Sequence, residues 1–348
     1  MIKKGRPIST TDLPAIARRL KDASHIAVVS HAKPDGDAAG SILAMTRALR
    51  SMGKRVDGMF TGVVDPNIQS LAAPGEIQLA TALPPDPAID LVVLVDTGAW
   101  SQVEPLDVWL KSMAGRIVGL DHHARGDDIA SDRVVDCSMA SATQLVVRLI
   151  DELGVPLVAA GASAKFSIAE ALFVGLATDT GWFRFQSADT AVFALASRLL
   201  AHGVDKMALY QLLDENGRPV RLAAMARALS SLTFHLNGRA TVMALSHDDF
   251  AQTGANSDDV GGLVNIPLTI GSVAMSVVLT ETQLGITKAS FRSKPAPSGA
   301  PSVNVSDFAT QFGGGGHAQA AGAKLMLPLA DARRTIESAI GSLTGVHS

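Results

Sequence analysis

Cysteine is almost absent. Cys137 stands alone in 348 residues, so no internal disulfide can form and a stapled secreted scaffold is excluded. No neighbour marks it as a nucleophile, and it reads as a buried, inert thiol. Aromatics are scarce too, at 4% with a single tyrosine, too few for the successive base stacking that holds long single strands. Neither sign of charge dominates: 30 Lys+Arg against 33 Asp+Glu leave a formal −3. Such a surface has little sequence-independent attraction for long duplex DNA, so any nucleic-acid partner should be short. No apolar run approaches the ~20 residues of a bilayer span. The most hydrophobic stretch, 155–180, is broken by Lys165 and Glu170, and the opening MIKKGRPISTTD lacks a signal-peptide core. These absences predict a soluble, cytoplasmic protein with no membrane partner.

What is present is core material. Apolar residues make up 47% of the chain and charged residues 18%, the balance of a folded protein. At roughly 100–200 residues per domain, the length predicts two domains. In the first half, 25–31, 90–96 and 116–121 read as strands, 55–60 as a weaker strand and 38–50 as a helix. Unbroken apolar runs ending in polar turns belong to parallel sheets covered on both faces. From about 138 the pattern turns helical; 233–246 and 271–292 then read as paired strands, and 303–345 as mixed helix and strand. The expected class is α/β: a parallel-sheet domain over 1–190, a helical connector over 191–229, and a smaller α/β C-terminal domain over 230–348. The Pro/Ser/Gly segment 295–301 reads as a loop inside the second domain.

The strand ends carry the chemistry. The first strand ends in His31-Ala-Lys-Pro-Asp35-Gly-Asp37, the next strong one in Asp96-Thr-Gly, and the one after in Asp121-His122-His123; a helical stretch ends in Thr178-Asp179-Thr180-Gly181. Any one of these alone is an ordinary N-cap or Asp-Gly turn. Four in an order compatible with one sheet edge favour a shared crevice, where open parallel sheets bind ligands. His31, Asp35, Asp37, Asp96, His122 and Asp179 form that set. Its four carboxylates carry −4 and repel one another unless cations offset them; two divalent ions supply the balance. Oxygen and nitrogen donors without thiolate suit Mn2+, with Mg2+, Co2+ or Zn2+ left open. Asp96, central in the set, is the candidate bridge between two ions about 3.5–4 Å apart.

A second constellation lies late in the chain. The glycines at 313–316 lack Cβ atoms, so their N–H groups can approach a phosphate as an anion nest, with His317 beside them. Arg292 offers a bidentate fork for phosphate, and Lys294 an auxiliary charge. Arg184, just past the Asp179 motif, is equally a substrate contact or a surface residue.

These motifs, in this order, resemble the DHH phosphoesterase superfamily. The residues around His31, Asp96, Asp121-His122-His123 and Asp179 are similar to its four motifs. Ser290-Phe-Arg-Ser-Lys294 and Gly313-Gly-Gly-Gly-His317-x-x-Ala-Ala-Gly322 are similar to its DHH-associated second domain. Together they resemble the NrnA-type branch, the nano-RNases and phosphoadenosine-phosphate phosphatases, over residues 12 to 345. The resemblance implies that His31, Asp35 and Asp96 hold one metal, and Asp37, Asp96, His122 and Asp179 the other. An activated water between them would attack a terminal phosphoester. It further implies that Asp121 orients an imidazole, that His123 contacts phosphate or protonates the leaving oxygen, and that Arg292, Lys294, Gly314, Gly315, Gly316, His317 and Arg184 bind substrate. The substrate would be short RNA, a linear dinucleotide or 3′-phosphoadenosine 5′-phosphate (PAP). The alternatives are a pyrophosphatase or polyphosphatase, a RecJ-like exonuclease, or a non-catalytic nucleotide-binding sensor. A homodimer is the default assembly.

Overall fold

Runs such as Leu91-Val-Val-Leu-Val95 bury every residue because helices cover both faces of the sheet they join. The computed structural model describes residues 8–80, 86–158, 166–294 and 302–343, so the 295–301 loop lies outside the described residues. The chain divides into two units, Met1–Asn216 and Gly217–Ser348, a division that falls within the segment expected to connect the domains.

The first unit opens with α1 (Leu13–Asp22), β1 (His25–Val29), α2 (Gly36–Ser51), β2 (Arg55–Thr61), α3 (Pro66–Gln69) and β3 (Ile77–Ala80). It continues through β4 (Leu91–Val95), α4 (Asp107–Ser112), β5 (Ile117–Asp121) and β6 (Asp132–Val135). Four helices complete it: α5 (Thr143–Leu153), α6 (Ile168–Asp179), α7 (Thr190–Ala201) and α8 (Lys206–Asp214). The strands form one six-stranded sheet in the order β3-β2-β1-β4-β5-β6, parallel throughout. The short strands β3 and β6 were not legible in the sequence: both are partly exposed edges without an unbroken apolar run. One face packs Ile26, Val28, Val93 and Val95 with side chains of α1, α2, α5 and α6. The other packs Ala27, Val29, Val92 and Leu94 with Leu106 and Leu110.

Helix α2 is buried along nearly its whole length, and its closest partner is α6. A Cβ on Gly40 would lie 2.3 Å from the Ala171 carbonyl oxygen, and one on Gly175 would lie 2.7 Å from Asp37 Oδ1. Glycine at these two positions lets the helices touch backbone to backbone.

The second unit contains α9 (Pro219–Ser230), β7 (Thr233–His235), β8 (Ala240–Leu245), α10 (His247–Thr253), β9 (Met275–Gln283) and β10 (Ile286–Ser293). It ends with α11 (Val305–Thr310), β11 (Gly315–His317), β12 (Ala320–Leu325) and α12 (Leu329–Gly341). Its sheet runs β11-β12-β10-β9-β8-β7, with β8 and β9 parallel and the other pairs antiparallel. Among the described residues no helix is long and apolar enough to cross a membrane.

Candidate metal centre and substrate surfaces

In the first sheet the chain leaves β1 toward β2 and leaves β4 in the opposite direction toward β5. A crevice opens at that reversal, beyond the carboxyl ends of the strands. His31 follows β1, Asp96 follows β4, and Asp121 ends β5 with His122 and His123 behind it. Asp35 caps α2, its Oδ1 accepting from the Asp37 and Ala38 N–H groups at 3.0 and 3.1 Å. Asp179 closes α6, which the glycine contact holds against α2.

Asp37 is held from a distance. Its Oδ2 accepts from Ala142 N–H at 2.6 Å and its Oδ1 from Thr143 N–H at 3.1 Å. These groups open α5, a helix without a side-chain cap of its own. The carboxylate therefore caps a helix more than 100 residues away and gains from its positive end. His31 Nδ1 lies 3.0 Å from the Ala32 carbonyl and His122 Nδ1 lies 3.2 Å from that of Met139. Each Nδ1–H donates there, leaving both Nε2 atoms for the carboxylates. His31 Nε2 is 3.5 Å from Asp96 Oδ2 and 3.8 Å from Asp35 Oδ1. His122 Nε2 is 3.4 Å from Asp96 Oδ1, 3.4 Å from Asp179 Oδ2 and 3.9 Å from Asp37 Oδ2.

These separations are wide for hydrogen bonds. They approach the roughly 3–3.4 Å between two donors that share a cation at about 2.1 Å each. Two of the clusters they form, His31/Asp35/Asp96 and Asp37/His122/Asp179, could each hold an ion. Asp96 supplies the test of fit. It is buried, its backbone sits in the left-handed region at φ 54°, and among the described residues its Oδ1 has no hydrogen-bond partner. A buried carboxylate oxygen left unsatisfied is costly, and a cation between the imidazoles would satisfy it. The donor set fits divalent metal.

The titration of the site follows from crowded charge. Burial opposes a charge on His31, but Asp35 and Asp96 outweigh it and push the imidazole up to about 10. Burial opposes His122 likewise, and Asp96, Asp37 and Asp179 raise it to about 10. Asp179 is pushed up to about 6 by burial and by the repulsion of Asp96 and Asp35. Burial and the Asp96 carboxylate hold Asp37 well above the usual range. Burial would raise Asp96 as well, but His122 and His31 keep it low. Protons thus do in part what cations would do.

His123 stands beside this cluster, its ring 4.6 Å from that of His122. Asp121 Oδ1 accepts from His123 Nδ1 at 2.8 Å, and from the His122 and His123 backbone N–H groups at 2.9 and 3.2 Å. The imidazole that Asp121 orients is therefore that of His123, and its carboxylate raises that ring's pKa. Cys137 is half-buried rather than fully buried, its thiol 3.4 Å from the His123 carbonyl.

Arg184 donates through Nε to the Gly181 carbonyl at 2.7 Å. It lines a cleft of about 470 Å³ that runs from Asp35 to Trp182 and includes Lys33 and Asn67. Three aids to the site were missed in the sequence: the Met139 carbonyl, the α5 N–H groups and Lys33. The first two are backbone atoms, which residue identity does not reveal.

In the second unit, Arg292 sits on β10 with its guanidinium partly desolvated, which lowers its pKa. Its Nη1 donates to the Phe291 carbonyl at 2.9 Å, and among the described residues no carboxylate pairs with it. Lys294 is occupied differently, its Nζ donating to the Ile270 carbonyl at 2.6 Å. The glycine run is not an open nest. Gly313 and Gly314 donate to the Thr310 and Ala309 carbonyls at 3.1 and 3.0 Å, closing α11. Gly315, Gly316 and His317 form the edge strand β11 against β12. Glycine is required there by close approach: a Cβ on Gly314 would lie 2.2 Å from the Gly322 carbonyl oxygen.

Comparison with known proteins agrees with this geometry. The DHH family N-terminal domain matches residues 25–176 and the DHHA1 domain matches 237–342. The bifunctional oligoribonuclease and PAP phosphatase NrnA of Thermus thermophilus is 33% identical over 300 residues, spanning 86% of this chain and 84% of that protein. An exopolyphosphatase-related protein from Bacteroides fragilis superposes with a TM-score of 0.84 at 25% identity, covering 94% of this chain and 95% of that one. The exonuclease RecJ bound to manganese shares the fold, with a TM-score of 0.53 at 15% identity over 98% of this chain and 96% of its own. With both domains matched and a relative of that identity along most of its length, the chain belongs to the DHH family of phosphoesterases.

Proposed function

We propose that this protein hydrolyses terminal phosphoester bonds of short oligoribonucleotides, linear dinucleotides and PAP, with two divalent cations, Mn2+ first among them. The observation that carries the reading is the buried Asp96 carboxylate, set between the imidazoles of His31 and His122 with no hydrogen bond to its Oδ1 among the described residues. His31, Asp35 and Asp96 would hold one ion, and Asp37, Asp96, His122 and Asp179 the other. When bound, the pair supplies water acidic enough to lose a proton near neutral pH and charge to offset the phosphate. The named activities of the Thermus thermophilus relative support the substrate class.

The chain's own residues do the rest. The Asp121 hydrogen bond to His123 Nδ1 leaves Nε2 out of that bond and favours the protonated ring, which suits donation to the leaving oxygen. Arg184 and Lys33 bring positive charge to the cleft beside Asp35, where a phosphate would be oriented. In the second unit Arg292, with the edge strand Gly315, Gly316 and His317 two strands away, would bind a substrate phosphate; Gly314, its N–H spent on the Ala309 carbonyl, would serve by its close packing rather than as a donor. Lys294 acts on this reading by fixing the 270–271 carbonyls rather than by direct contact.

Product analysis with Mn2+ tests the proposal, using an RNA length series, PAP and pyrophosphate, with Asp96→Ala as control. Mononucleotides released from short RNA, and absent with the variant, are the expected outcome. Phosphate released from pyrophosphate alone would place the chain with the pyrophosphatases. No turnover despite bound metal would leave a nucleotide-binding sensor.

A further inference from the structure

The second sheet has two faces of unequal cover. One packs Val277, Leu279, Ala289, Phe291 and Ala323 into a core. The other is covered over β8 and β9, where Met243, Leu245 and Val278 meet Ala224, Ala228 and Phe250. Beyond β9 the cover thins to the segment Leu263–Asn265, which still approaches β10. The alternate positions Lys288, Ser290 and Arg292 of β10, and Gly322 and Lys324 of β12, all retain solvent exposure.

Pairing register places Lys288 directly opposite Lys324. Like charges facing each other across an antiparallel pair are destabilising, and among the described residues neither lysine has a carboxylate within ion-pair distance. Both line a cavity of about 510 Å³, together with Thr280, Thr282, Gly314 and Gly322. Its glycines admit a ligand close to the backbone; Ile286 and Ala323 make part of the wall apolar, while the two ammonium groups, the threonine hydroxyls and Gln283 supply its polar groups, and among the described residues no aromatic ring lines it. Two facing ammonium groups without a carboxylate favour a phosphate there, and the lack of a stacking ring disfavours a base. Arg292 lies four residues farther along the same strand face, about 14 Å away at strand rise. That distance is about two steps of an extended single strand.

We infer that this open face is a track for the phosphodiester backbone of single-stranded RNA, in which the Lys288/Lys324 pair holds a second phosphate beyond the one at Arg292. The inference rests on the oligoribonuclease reading and adds a length-dependent subsite to it. A dinucleotide is too short to reach both positions; a five-nucleotide RNA reaches them.

Fluorescence anisotropy with labelled RNAs of two and five nucleotides, on the full chain in EDTA, reads the subsite without turnover. In Lys288→Ala/Lys324→Ala, five-nucleotide binding should weaken about tenfold, its log-log salt slope falling by about 0.7 for one lost phosphate contact. Dinucleotide binding should stay within about twofold. Lys324→Glu separates recognition from folding: it turns the cross-strand repulsion into an ion pair, so Tm should hold or rise while five-nucleotide binding falls. Equal loss for both lengths, no loss for either, or no RNA binding by the unaltered chain would overturn the inference. RNA bound in this length-dependent way but never hydrolysed would instead overturn the functional reading and leave the subsite standing.

Discussion

At the scale of single residues, protons and the proposed cations would compete for the same lone pairs. His31 and His122 are each raised from 6.5 to about 10 in the metal-free chain, so both are charged at neutral pH until a cation displaces their protons. A raised folded-state pKa gives stability that is complete below 6.5 and is lost as pH climbs toward 10. The Tm of EDTA-treated protein should therefore fall across that window while Mn2+-loaded protein holds its Tm, and apparent metal affinity should rise with pH. A titration showing affinity flat from pH 6 to 9 would contradict this account. His123 tests a different atom. His123→Ala should keep both metal equivalents by elemental analysis yet lower kcat by about 10²–10⁴-fold, the range for loss of a general acid; unchanged turnover removes it from the mechanism.

Among elements, the decisive contact is α2 against α6. Gly40 and Gly175 bring the helices together, and with them Asp37 and Asp179. Gly175→Ala would push a methyl to 2.7 Å from Asp37 Oδ1 and 2.4 Å from the Thr143 side chain. Overpacking of this kind costs about 1–3 kcal/mol, and here it would also displace Asp37, a proposed ligand. The variant should lower Tm and weaken Mn2+ binding together by calorimetry; lost stability with unaltered metal affinity would mean that the helix contact does not set the ligand spacing. Strand ends were legible because an apolar run that stops at Asp or His is visible in one dimension. The helix contact was not, since glycine in a helix reads only as a mild breaker. The capping of α5 by Asp37 was equally hidden, because a cap drawn from a distant helix leaves no local signature.

At the scale of the whole molecule, the first unit carries a buried ion pair outside the active site. Arg47 Nε and Nη2 donate to Glu76 at 2.7 and 2.9 Å, with both side chains almost fully enclosed. Burial alone would raise the Glu76 pKa, but Arg47 and the Ala73 N–H hold it below its usual value. A depressed carboxylate stabilises fully above its unfolded pKa of about 4.3 and loses that contribution as pH falls through the lower folded value. Glu76→Gln leaves a buried guanidinium unpaired and should cost about 3–5 kcal/mol near neutrality; the gap to the unaltered protein should narrow in acid. Urea unfolding at both pH values measures it, and a gap independent of pH would refute the assignment. By itself the sequence determined the α/β class, the family and the order of the motifs that carry the six candidate ligands, because each depends on local apolar periodicity and residue chemistry. Tertiary structure alone decided that Asp121 holds His123, that Asp37 closes α5, and that the glycine run is a strand edge rather than an open nest. It also set two lysines face to face. Each of these depends on strand register or helix approach, and such distances arise only when segments far apart in the chain pack together.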